Sequence, residues 1–422
     1  MKQDSISINL NITIHKPKIT WESFIVCIMC IFMIRPYLVQ TYETIDTLWA
    51  YMTMFCFLIS IFPILFRKST IKANLFLFIY CLIYLYATYA YQRENLSGAI
   101  SSVGQVLLAA DVGLYVYIAK DKQNVLRTMR SVFLCYLYID AIWGLLNIGA
   151  YLDWDDTMTF LSYDNYAVYF IIPMMSSIFL IDLYVEGRIR PKDWCCYALC
   201  LCYKLYTLSL NAVIFLIVYI ILYVVMKHFK TVQKILSVRN VVILLALVWI
   251  GVTFFNIHEF LNPIMEALGK GTDLNGRVYI WERFSSAFAD IPLYGYGKLD
   301  VGDFQAITGI PWYDVQFDHA HNLLAQLFMD TGILGFIMYM IWLGNSTYRL
   351  KSIPSTPLRS LALSSLVTYL LAGFIDGYPW TPMFYVYTGI VWSISKEAYD
   401  QQEVTESEAV SVETGELVPE AA

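Results

Sequence analysis

Two short runs of this 422-residue chain concentrate groups that move protons or hold anions. The run FDHAHNLLAQLFMDTGILGF, residues 317–336, opens with Asp318, His319, His321 and Asn322. An imidazole titrates near neutral pH, so His321 at a membrane edge can exchange a proton or donate to a phosphate oxygen. The run NGRVYIWERFSSAFADIPLYGYG, residues 275–297, sets Val278, Ile280, Trp281, Phe284 and Phe288 at spacings that leave one apolar helical face. Arg277 and Arg283 stand near opposite ends of that helix, with fixed positive charge and a forked donor geometry that suits a diphosphate. Pro292, Gly295 and Gly297 then break the helix and turn the chain across the membrane surface.

Plainer readings compete with each of these. An interfacial arginine commonly snorkels, and this competes more strongly at Arg283 than at Arg277. An interfacial histidine often only caps a helix. Trp281, Trp312 and Tyr313 can stack on sugar faces or simply pack. Zinc held by His258, Asp318, His319 and His321 is disfavoured: histidines two apart do not share a helix face, and no HExxH pattern occurs. The external loop also lacks a DxD-like carboxylate pair, so no metal cofactor is expected.

The elements that position these runs are membrane spans. The chain is 58% hydrophobic and only 15% charged, against about 45–50% and about 25% in soluble domains. The excess falls in blocks of about 20 residues, the length that crosses a hydrocarbon core. Twelve such spans are expected, at about 21–38, 46–66, 73–91, 98–118, 131–150, 164–185, 194–208, 210–227, 241–257, 321–343, 359–376 and 382–396. The fold class is an all-α polytopic bundle. It is preceded by a cytoplasmic segment, 1–20, too polar for a signal peptide, and followed by a disordered acidic cytoplasmic tail, 397–422. Of the 28 Lys and Arg, most fall in the alternate segments between spans that share a membrane face with the N-terminus, so both termini are expected in the cytoplasm of a cell-membrane protein. That orientation puts 258–320, the only long loop, outside.

The net charge of −6 owes much to the tail, and no basic patch interleaved with aromatics suggests nucleic acid. Cys195, Cys196, Cys200 and Cys202 fall in one apolar helix and read as packing rather than a metal site. Lys204, near the outer end of its span, either snorkels outward or lines a cavity that receives an anionic headgroup. Asp111 and Asp140 either pair with Lys204 or hydrogen-bond between helices.

Taken together, GRVYIWERF, PLYGYG and HAHNLLAQLFMDTGILG resemble the O-antigen ligase and Wzy-type polysaccharide polymerase superfamily. The most specific element is His321, Asn322, nine residues and Gly332, and the resemblance is strong over about 270–345. It implies a GT-C-like membrane fold and metal-independent glycan transfer from an undecaprenyl diphosphate carrier to an acceptor hydroxyl. By match, Arg277 is the arginine expected to engage the diphosphate. His321 is the essential histidine, which deprotonates the acceptor or orients the donor. One element departs from the pattern: many members carry a Ser-Arg pair at the head of the eighth span, where this chain has Ser209 and Leu210. Lys204, or less readily Arg35, can supply that cation from the same face.

The expected activity is polymerisation of lipid-linked repeat units of a capsule, O-antigen or exopolysaccharide. His321 and Arg277 form the catalytic pair, and Arg283, Lys204, His319, Asn322 and Trp281 bind substrate. A chain-length regulator is a possible partner. A ligase that moves finished glycan onto lipid A core or protein shares the same motifs. A flippase for the lipid-linked sugar is the alternative of a different class.

Overall fold

A computed structural model describes residues 20–146, 159–161, 168–207, 209–255, 277–309, 319–377 and 379–414. Much of the expected external loop, including His258, Trp312, Tyr313 and Asp318, lies outside the described residues. The protein is an all-α membrane bundle, with no strand among the described residues. Its main helices are α1 (Trp21–Met33), α2 (Glu43–Leu65), α3 (Lys68–Tyr91), α4 (Leu96–Ile118), α5 (Lys122–Leu146), α6 (Val168–Glu186) and α7 (Pro191–Tyr206). They continue as α8 (Leu210–His228), α9 (Val238–Phe255), α10 (Arg277–Ala287), α11 (Val301–Thr308), α12 (Leu323–Thr347), α13 (Thr356–Asp376) and α14 (Pro382–Thr414).

Each of the twelve expected spans overlaps a helix among the described residues. Nine helices among the described residues are long and apolar enough to cross a membrane. The shorter α1 and α7, of 13 and 16 residues, fall below the roughly 20 that a straight crossing requires. The most intimate helix pair is α4 against α14. A side chain at Gly113 would come within 2.5 Å of the Val386 carbonyl oxygen, and Ser393 donates to the Gly113 carbonyl at 2.9 Å. Small residues let backbones approach where water supplies no drive between helices.

Buried ionisable groups tie the helices together. Asp111 on α4 accepts from Ser60 of α2 at 3.2 Å and Asn74 of α3 at 3.0 Å. Asp140 on α5 accepts from the Leu161 amide at 3.0 Å and the Tyr203 hydroxyl of α7 at 2.8 Å. Of the two readings open for these carboxylates, hydrogen bonding between helices describes both. Arg130 of α5, which the sequence did not single out, bridges Asp182 of α6 at 2.7 Å and Asp193 of α7.

Two boundaries differ from expectation. The final helix runs through Thr414, into residues expected to be a disordered tail. Its start there is anchored to the bundle, because Tyr184 donates to Glu397, Tyr117 to Asp400, and Gln402 to the Ser352 carbonyl. A Lys396–Asp400 pair one turn apart adds local support.

The second difference is α12, expected as one straight span from residue 321. Gly332 inside it has φ 58° and ψ −166°, which no α-helix contains. The rings of Phe328 and Phe336 stack with centroids 4.4 Å apart. In a straight helix they would be offset by about 12 Å along the axis. Leu323 and Leu324 also line one small cavity together with Tyr339 and Met340. The segment 323–331 therefore folds back beside 333–347, and only the second arm continues across the bundle.

Candidate functional site

The fold-back is held by the PLYGYG loop. Met329 and Asp330 leave carbonyls free at the kink, and they accept from the Tyr296 amide at 2.8 Å and the Gly297 amide at 3.0 Å. The Leu334 amide returns to the Leu293 carbonyl at 3.2 Å. Space is limiting on both sides of this crossing. A Cβ at Gly332 would fall 2.3 Å from the Leu293 oxygen, and one at Gly295 would fall 2.4 Å from the Thr331 nitrogen. Gly295 and Gly332 also have positive φ, which glycine adopts without penalty. The loop and the kink are thus one structural unit, formed by two motifs that are separate in sequence.

The first arm of α12 carries the histidines. His321 has φ 47°, the only positive φ at a non-glycine residue among the described residues. Such a conformation costs about 1–3 kcal/mol and persists where its surroundings enforce it. Here they do so on both sides. The Ala320 amide donates to Gln326 Oε1 at 2.8 Å, and the Ala320 carbonyl accepts from the Trp281 indole at 3.0 Å. Asn322 Oδ1 accepts from the Leu324 and Ala325 amides at 2.9 and 3.1 Å, capping α12, while its Nδ2 donates to the Phe374 carbonyl of α13 at 2.9 Å. The result presents a half-buried His321 with its ring 3.8 Å from that of the buried His319, at 40°.

A polar chain continues inward from this turn. Gln326 donates to Asp330 at 2.6 Å, and Asp330 accepts from the Trp380 indole at 2.8 Å. Trp380 stacks on Tyr80 and Tyr84 of α3. Every step pairs a buried polar group with a partner, which such groups require.

The expected site residues separate accordingly. His319 and His321 come together, as their spacing suggested. Trp281 and Asn322, expected to bind substrate, are buried, and the Trp281 indole and the Asn322 amide hold the histidine turn. Arg277 opens α10, one turn before Trp281, and its side chain lies outside the described residues. Arg283 is exposed, with its guanidinium carbon 5.3 Å from the Tyr279 ring centroid. Lys204 does not snorkel: it is fully buried on α7, its ammonium 4.3 Å from the Tyr203 ring centroid. Arg35 is engaged by Asp46 through two nitrogens and reaches Ser101 at 3.5 Å.

A cation that the sequence reading passed over is Lys298, directly after PLYGYG. Its backbone amide donates to Thr88 at 2.9 Å and its carbonyl accepts from Asn95 at 3.2 Å. Its ammonium packs against Gly98 of α4. Burial, and then the charge of Arg35, lower its pKa from the ordinary lysine value, with Asp330 opposing. A lysine adjoining a Gly-rich break was the available signal.

Residues 195–340 match the family described as O-antigen ligase. A curated protein of Rickettsia felis, named "Putative polysaccharide ligase", is 23% identical over 121 residues, 27% of this chain and 29% of that protein. The chain thus aligns with under a third of that relative's length. No solved structure matches.

Proposed function

We propose, from the premise that this chain belongs to the O-antigen ligase and Wzy-type polysaccharide polymerase superfamily, that it is a metal-independent glycosyltransferase acting on lipid-diphosphate-linked glycan. The observation that carries the reading is His321, held in a strained left-handed conformation by bonds to both neighbouring residues. Strain maintained at a titratable, half-buried group is what a preorganised acid or base requires.

In this reading the acceptor hydroxyl oxygen attacks the anomeric carbon of the donor sugar. The bond from that carbon to the diphosphate oxygen breaks, and undecaprenyl diphosphate leaves with the electron pair. His321 Nδ1 or Nε2 takes the hydroxyl proton. The diphosphate is a competent leaving group, so charge stabilisation and placement supply most of the acceleration. Arg277 is assigned to the diphosphate, supported by its place one turn before Trp281, whose indole holds Ala320 beside His321. Direct displacement inverts the anomeric centre. His319 packs against His321, and Arg283 offers an exposed cation at the same helix. Lys204 is too deeply buried to reach a headgroup without rearrangement, so Lys298 is the better second cation.

The substrate reading is polymerisation of undecaprenyl-diphosphate-linked repeat units at the outer face of the cell membrane, with both termini cytoplasmic. Ligation of a finished glycan to a different acceptor is the second reading, favoured by the ligase descriptions of the matched family and relative. The two separate on acceptor choice: a second lipid-linked repeat unit for polymerisation, lipid A core or protein for ligation. In cells, His321→Ala should stop glycan growth while lipid-linked units accumulate on the outer face. Accumulation on the inner face would instead identify a flippase and overturn the transferase reading.

A further inference from the structure

A cavity of about 810 Å³ lies where α9 begins and α12 ends, and two of its lining residues, Val242 and Met340, also line the small cavity beside Leu323 and Leu324. Five cations line it: Lys230 and Lys234 from the short helix Lys230–Ile235, Arg239 from α9, Lys351 after α12, and Arg359 from α13. No carboxylate is among its lining residues, and none of the five makes an ion pair with another described residue. Arg359 Nε is buried without a hydrogen-bond partner among the described residues, and the only described hydrogen bond of the guanidinium is a long Nη1 contact, 3.4 Å, to the Lys351 carbonyl.

A buried guanidinium nitrogen without a partner is costly, and the like charges of Lys230, Lys234, Arg239 and Lys351, all exposed, add a screened repulsion around the same space. An anion resolves both. The walls identify its kind: Val242, Ile243, Met340 and Leu343 come from membrane-crossing helices and make the cavity mostly apolar. An inorganic ion has no use for such walls, whereas a phospholipid places acyl chains on them and its phosphate among the cations. The basic residues also mark this as the cytoplasmic end of the bundle, the leaflet side where basic pockets between helices take anionic headgroups.

We propose that this cavity is a binding site for an anionic phospholipid of the cytoplasmic leaflet, its phosphate held by Arg239, Arg359 and the neighbouring lysines. The proposal does not depend on the glycan-transfer assignment.

The test is native mass spectrometry of the full-length detergent-solubilised protein titrated with phosphatidylglycerol, phosphatidylcholine or inorganic phosphate. One phosphatidylglycerol should bind in preference to phosphatidylcholine. Arg239→Gln with Arg359→Gln should weaken it roughly thirtyfold, at the usual contribution of a cation near an anionic headgroup. Arg239→Lys with Arg359→Lys, which keeps both charges, should retain most of the binding. Should the double glutamine variant fail to fold, Lys234→Gln alone should cost about fivefold. Equal binding of the two lipids, unchanged binding after neutralisation, or displacement of lipid by millimolar phosphate would each overturn the proposal.

Discussion

Replacing Gly332 by alanine tests the fold-back that presents the histidines, and Gly187 is its internal control. Both glycines have left-handed φ, 58° and 71°. A Cβ at Gly187 meets nothing within 4 Å, whereas at Gly332 it would lie 2.3 Å from the Leu293 oxygen, 2.5 Å from the Leu293 carbonyl carbon and 2.5 Å from the Pro292 oxygen. Gly187→Ala therefore bears only the conformational term, about 1–2 kcal/mol. Gly332→Ala bears at least that term, because φ 58° with ψ −166° is a region essentially reserved for glycine, plus overpacking of about 1–3 kcal/mol, and the opposing atoms are backbone, which no rotamer change relieves. Relief requires the PLYGYG loop to move off the kink, breaking the bonds to Met329 and Asp330. The histidine arm would then shift, and a displacement of about 1 Å at a reacting group costs about a hundredfold in rate. Thermal unfolding in detergent and glycan transfer in membrane vesicles would be measured for both variants. Gly187→Ala should lose a little stability and no activity, and Gly332→Ala should lose both. If the two variants behave alike in both assays, the kink does not position the site and the reasoning fails.

Further expectations concern the supports of the same turn. Trp281→Phe leaves the Ala320 carbonyl without its indole donor, a loss of about 1–3 kcal/mol in thermal stability, with transfer falling more steeply than stability. Asn322→Asp should keep the cap of α12 but lose the donor to Phe374, whereas Asn322→Ala loses both, so stability should rank wild type, then Asp, then Ala. Arg130→Met strands Asp182 and Asp193 in the bundle and should cost about 3–5 kcal/mol, read as a large drop in unfolding temperature with little change in the kinetics of the surviving folded enzyme. The lowered pKa of Lys298 means the unfolded chain binds more protons than the folded one between that value and about 10.4. Stability should therefore rise with pH across that alkaline window, and Lys298→Met should flatten the rise relative to wild type.

The bundle itself was legible because hydropathy blocks the length of a bilayer have few other uses, and each expected span overlaps a described helix. The hairpin in α12 was not. Its two arms, LLAQLFMDT and ILGFIMYMIWL, are both apolar, so hydropathy runs through Gly332 without a break. What turns the chain there is a backbone crossing with a loop some 35 residues earlier, and no local pattern records such a partner. The same reason separates His321 from Trp281 and Asn322. All three stood out by type and spacing, but that Trp281 and Asn322 hold the turn depends on hydrogen bonds to Ala320 and to Phe374 of α13, partners distant in sequence. Of the two readings open for Lys204, its complete burial excludes the outward reach, and its ammonium lies 4.3 Å from the Tyr203 ring centroid. The helix beyond Lys396 escaped notice because its composition is polar, and its anchors, Tyr117, Tyr184 and Ser352, come from elsewhere in the bundle.

The most direct test of glycan transfer at His321 uses the purified full-length protein with a defined undecaprenyl diphosphate oligosaccharide in the presence of a chelator. The wild type should convert it to a ladder of longer chains, or attach it to a supplied lipid A core or protein acceptor, with release of undecaprenyl diphosphate. Folded His321→Ala should do neither. Transfer by wild type that vanishes with chelation, or transfer that persists in His321→Ala, would contradict the account.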